Sequence, residues 1–170
     1  IIDDLRSSGI LLTDTGDLDE AAVAALPPDQ ETKLLTDLTS ELMAVIQRSS
    51  CCSSDRFHVA PHIPEEKIIN ALKEYGHGCN ANDVLCLYDD TFFGGGGDGF
   101  MVTLLGIWWT GPNARTWTEI KRITKAADSN AVKIDGASVS IAMASDFVPY
   151  FASLLKEVRE IVVSRLSTDH

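Results

Sequence analysis

Asp83–Trp109 reads DVLCLYDDTFFGGGGDGFMVTLLGIWW, and its punctuation decides the fold. Val84, Cys86 and Tyr88 alternate with Leu85 and Leu87, and Phe100 and Val102 alternate with Met101 and Thr103. That period of two marks strands. Between the two runs, Gly94–Gly97 and Asp98-Gly99 accept positive φ at little steric cost, so the spacing predicts a reversal and an antiparallel pair.

Working outward, the segment after Trp109 continues in short strands. Gly111-Pro112-Asn113 reads as a turn, Arg115–Ile123 as a third strand with Trp117 and Ile120 inward, and Asp128-Ser129-Asn130 as a second turn. Val132–Ile134 and a run holding Val139, Ile141 and Met143 flank Asp135-Gly136, a hairpin signal. Five strands on such short connections predict an antiparallel meander, because parallel strands need long crossovers. Ser145-Asp146 is placed to cap a last helix, with Pro149 in its first turn and Phe147, Phe151, Leu154, Leu155, Val158, Ile161 and Val162 on one broad face.

Toward the N-terminus, Leu34, Leu35, Leu38, Leu42, Val45 and Ile46 fall on one helical face from Asp29 onward. Pro64 opens another helix, with Glu65 and Glu66 near the positive end of its dipole and Ile68, Ile69, Leu72 and Tyr75 as its buried side. Ser49–Pro64 between them reads as a linker. Asp17 or Asp19 could cap a short helix through Ala21–Leu26, ended by Pro27-Pro28. The neighbouring segment 14–20 lacks the ligand spacing of an EF-hand loop. The expected division is an acidic helical extension and linker over 1–63, then a domain over 64–170.

Tyr88-Asp89-Asp90-Thr91, Phe93-Gly94, Asp98-Gly99-Phe100, Thr103, Gly106-Ile107 and Trp109 together resemble a bacterial family of pleckstrin-homology-like (PH-like) domains. The likeness continues more weakly through Trp117-Thr118-Glu119-Ile120 and the C-terminal helix, so it covers Asp83 to Leu166. It implies an α+β fold: an antiparallel, strongly curved sheet or partial barrel closed by the C-terminal helix and preceded here by N-terminal helices. It also implies a non-enzymatic interaction module working through protein contacts or self-association. The family's loop often carries a lysine before the Asp-Gly, where this chain has Gly97.

Charge narrows the partners. A formal net charge of -11 is repelled by nucleic acid and by anionic membrane surfaces. Phosphoinositide binding in PH domains generally uses Lys or Arg in and beside the first hairpin loop, and Tyr88–Gly111 contains neither. Lys121, Arg122 and Lys125 form one local basic cluster, which supports at most weak lipid attachment. No run reaches the roughly 20 apolar residues of a membrane-spanning helix. A chain opening on Ile1 reads as a fragment or processed product, and the cytoplasm is the expected compartment.

Asp89, Asp90 and Asp98 are the one cluster that suggests catalysis or a metal, which makes a small metal-dependent hydrolase the alternative reading. The competing account is structural: Asp90-Thr91 fixing a strand end and Asp98-Gly99 a turn, with adjacent Asp89 and Asp90 facing opposite ways. Trp108 and Trp109 also face opposite ways, so one belongs to the core and the other is a candidate protein contact. Cys51, Cys52, Cys79 and Cys86 have no CxxC spacing and read as free thiols; His58 and His62 read as surface or capping residues. The glycine run leads into a strand rather than a helix, which excludes a phosphate loop. The sequence thus assigns no catalytic residue, metal or cofactor, and Asp89, Asp90, Asp98, Trp108 and Trp109 are the candidate binding residues.

Overall fold

The computed structural model describes residues 28–111, 113–126 and 130–168; the side chains of 28–31 and 167–168 are left aside. The helix expected through Ala21–Leu26 and the segment 14–20 lie outside these residues, as do Pro112 and Asp128-Ser129 of the two expected turns. Helix α1 spans Pro28–Arg48, strand β1 Phe57–Val59, helix α2 Glu65–Glu74, β2 Val84–Asp89 and β3 Gly99–Thr103. There follow β4 Gly106–Trp109, β5 Asn113–Thr116, β6 Ile123–Lys125, β7 Ala131–Ile134, β8 Ala137–Ser140 and helix α3 Val148–Thr168. The fold is α+β with antiparallel sheets and a C-terminal helix. The strands form two sheets, β1-β2-β3-β4-β5 and β6-β7-β8, and neither is closed.

Five sequence expectations need correction. Phe57–Val59, expected within a linker, is a strand that pairs with β2 through Phe57↔Tyr88, His58↔Leu87 and Val59↔Cys86. Three residues are too few to display a period, so the strand is defined by its partner. The single strand expected over Arg115–Ile123 is broken at Trp117. Thr116 and Glu119 form a reciprocal box, with the Thr116 amide donating to Glu119 Oε2 at 3.0 Å and the Glu119 amide to Thr116 Oγ1 at 3.4 Å. That S/T-x-x-E arrangement coils the chain and sends β6 into the second sheet. The second strand, expected to run on to Trp109, folds back after Thr103 into the antiparallel pair β3–β4, so with β1 the described residues hold eight strands where five were expected. Ile69, expected inward on α2, is 55% exposed, and the fully buried position is Ala71. Ala142–Phe147 forms a 3-10 segment where a strand end at Met143 and a cap at Ser145-Asp146 were expected, and α3 starts at Val148 with Pro149 still in its first turn.

Asp135-Gly136 makes the expected hairpin, both residues at positive φ (50° and 92°), as a type I′ turn requires.

All six residues of β2 are buried because both faces of the first sheet are covered. One face meets α1, α3 and the second sheet. There a row of aromatics runs across the paired strands, Phe57↔Tyr88↔Phe100↔Trp109. Phe151 of α3 seats on this row, with ring centroids 5.5, 4.8 and 5.4 Å from Phe57, Tyr88 and Phe100. Leu38, Leu42, Val45 and Ile46 of α1 join the same core. On the other face, α2 lays Ala71 and Tyr75 against Val84, Leu87 and Met101. Burying each large side chain contributes about 1.5–3 kcal/mol before ordering entropy is counted.

Candidate functional site

The connection from β2 to β3 holds the candidates Asp90 and Asp98, and the chain leaves the sheet at Asp89-Asp90, Asp89 being the last residue of β2. Asp89 closes the strand on the α2 side. Its side chain is 1% exposed and ion-paired with Lys67 of α2, while its Oδ1 accepts from the Thr91 amide at 3.0 Å and Thr91 Oγ1 at 2.5 Å. Burial raises the carboxyl's pKa, but the hydrogen bonds from Lys67 and Thr91 and the Lys67 charge outweigh it and hold the group below the ordinary carboxylate value.

Asp90 turns the other way and joins the two sheets. Its Oδ1 accepts from the Tyr88 hydroxyl at 2.8 Å and the Met143 amide at 2.8 Å; its Oδ2 accepts from Ser140 Oγ at 2.5 Å and the Ala142 amide at 3.1 Å. Four donors on two oxygens leave this carboxylate engaged in joining β2 to the end of β8. Asp98 forms a third and separate set, accepting from Thr110 Oγ1, which in turn receives the Gly99 amide at 2.8 Å. The three aspartates therefore do not converge. Among the described residues no three His, Cys, Asp or Glu side chains are grouped to hold a metal ion.

The glycine run is explained by α2. Lys67 Nζ donates to the Gly94 carbonyl at 2.6 Å, and Asn70 Nδ2 to the Gly95 carbonyl at 2.7 Å. Gly96, at φ +75°, lies so close to the helix that a Cβ would sit 2.8 Å from Lys67 Cα. The loop is thus laid along the helix backbone, a position that only glycine fits. Thr91 Oγ1 also receives the Gly95 amide at 2.6 Å, and Arg56 Nη1 donates to the Thr91 carbonyl at 2.6 Å.

This anchoring leaves Phe92 and Phe93 outside. They are 74% and 95% exposed and stack on each other edge to face, centroids 5.0 Å apart. Sequence reasoning read Phe93-Gly94 only as part of a turn. The missed signal was two adjacent aromatics in a turn, where no strand period assigns either one an interior.

Trp108 and Trp109 point to opposite faces of the first sheet. Trp109 is 2% exposed in the main core. Trp108 is half-buried, packed against the cluster beneath α2, because that helix covers the face it points to. Trp117, fully buried, donates its indole N–H to the Thr103 carbonyl at 3.0 Å.

Two polar atoms beneath α2 are buried without a hydrogen-bond partner, His58 Nε2 and the Tyr75 hydroxyl. His58 is therefore a strand residue facing the α2 side rather than a surface or capping one. Burial, and next the Lys67 charge, push its pKa down against the opposing pull of Asp89 and Asp55. Cys51, Cys52 and Cys86 are free thiols. Burial pushes the Cys51 thiol up to about 11, and Cys86 is raised well above its ordinary value, so neither is a ready thiolate.

A shallow pocket of about 310 Å³ lies between the turn before β1 and the 3-10 segment, lined by residues including Asp55, Met143, Asp146 and Phe147. No helix among the described residues is long and apolar enough to cross a membrane. Comparison of the chain with protein-family profiles, with curated proteins and with solved structures finds no significant match.

Proposed function

We propose that this chain is a non-enzymatic PH-like interaction module that acts through protein contacts or self-association. The observation that carries the reading is the Phe92–Phe93 tip: two large rings in water, on a loop tied to α2 and Arg56 by three hydrogen bonds and braced by a fourth within itself. Exposed aromatics cost solubility, and fixing them beforehand reduces the ordering entropy that association would otherwise oppose. The antiparallel sheets followed by a long helix are the coarse form of the PH-like architecture. The partial barrel that the resemblance implies is its finer form. Asp89, Asp90 and Asp98 serve in this reading as the frame of the tip and the sheets.

Phosphoinositides are not the expected ligand. Lys121, Arg122 and Lys125 are exposed, but the amides of Lys121 and Arg122 are held by the Asp135 carboxylate, which places a negative charge within the cluster.

Sedimentation velocity over a range of concentrations, together with affinity capture from the native cell, tests the reading. Either a self-association or a captured protein should be lost in the double variant Phe92→Ser/Phe93→Ser. A monomer that captures the same proteins with or without the two rings would sink it. A saturable rise in Tm with Mg²⁺, Mn²⁺ or Ca²⁺ that vanishes in Asp89→Asn or Asp98→Asn would favour the hydrolase instead.

A further inference from the structure

The tip does not stand alone. Asp90 accepts from the Met143 amide, and Phe92 follows Asp90 by two residues, so its Cα starts within about 8 Å of the Asp90 Cα. Asp90 thereby ties the chain that carries the rings to the segment whose Met143 and Phe147 line the pocket, and Tyr150 extends the apolar ground there with its ring 6.0 Å from Phe147. Met143 is 37% and Tyr150 48% exposed.

The charge around this ground has one sign. Asp55 and Asp146 line the pocket, and its lining contains no Lys, Arg or His. On the α2 side, Glu65 and Glu66 are exposed in the helix's first turn, next to the Lys67 backbone on which Gly96 lies. The two cations bonded to the loop are committed internally, Arg56 to the Asp89 and Thr91 carbonyls and Lys67 to Asp89 and Gly94. Aromatic anchors inside an acidic rim, on a chain of net charge -11, are complementary to an apolar segment that carries Lys or Arg. They repel a second copy of the same surface.

We infer that the Phe92–Phe93 tip and the linked Met143–Phe147 pocket form a docking surface for a basic, amphipathic segment of a partner protein. This rests on the interaction-module reading and specifies its partner class. The rings and the pocket supply the apolar contact, and Asp55 and Asp146 select the charge.

The test uses the full chain and two fluorescein-labelled amphipathic peptides, one of Leu and Lys and one of Leu and Glu in the same pattern. The Leu/Lys peptide should bind saturably, at least about tenfold more weakly to Phe92→Ser/Phe93→Ser. Binding should weaken by about threefold or more in Asp55→Asn/Asp146→Asn and with added salt. Circular dichroism and Tm confirm that each variant is folded before its affinity is read. Equal binding of the two peptides, or Leu/Lys binding unchanged in the ring variant, overturns the inference. So does ring-dependent flotation with phosphatidylcholine vesicles, which would make the tip a membrane wedge, and so does a ring-dependent dimer. A ring-dependent dimer, or a captured protein that needs the rings but lacks basic residues at its contact, would remove the basic partner class while leaving the interaction module standing.

Discussion

Asp89-Asp90 and Phe92-Phe93 are separated by a single threonine, and they have exchanged their ordinary places. The carboxylates are buried and the rings are in water. The difference lies in what each pair has been given. Seven hydrogen bonds or ion-pair contacts reach the two carboxylates from α2, Thr91, Tyr88 and the end of β8, whereas the rings touch chiefly each other. A buried charge is tolerable only when it is paired and hydrogen-bonded, and an exposed aromatic persists when the backbone beneath it is fixed. The acidic corner is thus the foundation and the tip is what it holds up.

The comparison breaks most sharply at Asp90. Asp90→Ala removes the acceptor for four donors and should destabilise the fold by about 3–5 kcal/mol, read from the midpoint of urea unfolding. A loss below 1 kcal/mol would mean that the carboxylate is not the joint between the sheets.

Asp89→Ala should cost somewhat less, about 2–4 kcal/mol, by leaving Lys67 partly buried without its counter-charge. Its pH dependence is a second reading. Folding lowers this carboxyl below its unfolded value of about 4. Its contribution is therefore complete above that pH and is lost as the pH falls through the folded-state value. Urea midpoints between pH 2 and pH 6 should fall less steeply in Asp89→Asn than in the parent chain.

Gly96→Ala sharpens the contrast within the loop. A Cβ there meets the Lys67 backbone at positive φ, so about 1–3 kcal/mol should be lost. Gly95→Ala, which meets nothing within 4 Å, should stay within about 0.5 kcal/mol of the parent. Equal effects at the two positions would show that the loop is not laid on α2. Smallest of all, Phe92→Ser/Phe93→Ser should change stability by no more than about 0.5 kcal/mol, since little area leaves the interior. A large loss would place the rings in the core.

Much of the frame was legible from periodicity. The β2–β3 hairpin, both long helices and the Asp135-Gly136 turn carry local signals strong enough to survive tertiary context. What could not be read depended on partners distant in sequence. Three residues at Phe57 become a strand only because Tyr88 lies opposite. Trp108 is covered only because α2 returns over that face. Two further signals were present but outweighed: the uninterrupted apolar run of β2 speaks for a sheet buried on both sides, and Thr116-x-x-Glu119 speaks for a turn. Asp89, Asp90 and Asp98 were marked by residue type, yet their separation into three hydrogen-bond sets depends on Lys67, Ser140 and Thr110.

The seating of Phe151 on Phe57, Tyr88 and Phe100 also bears on how the molecule comes into being. A ribosome delivers the three strand rings long before it delivers the ring that covers them. Until α3 has emerged, the aromatic row of the first sheet lacks that lid, and the nascent chain displays it to solvent or to whatever chaperone stands at the exit. Local pairs such as β2–β3 and β7–β8 can form during translation, but the closing contact is among the most distant in the chain and the slowest to find. Production yield should therefore depend on the codons for Val148–Thr168, where a pause or a premature stop releases a chain with its stickiest surface open.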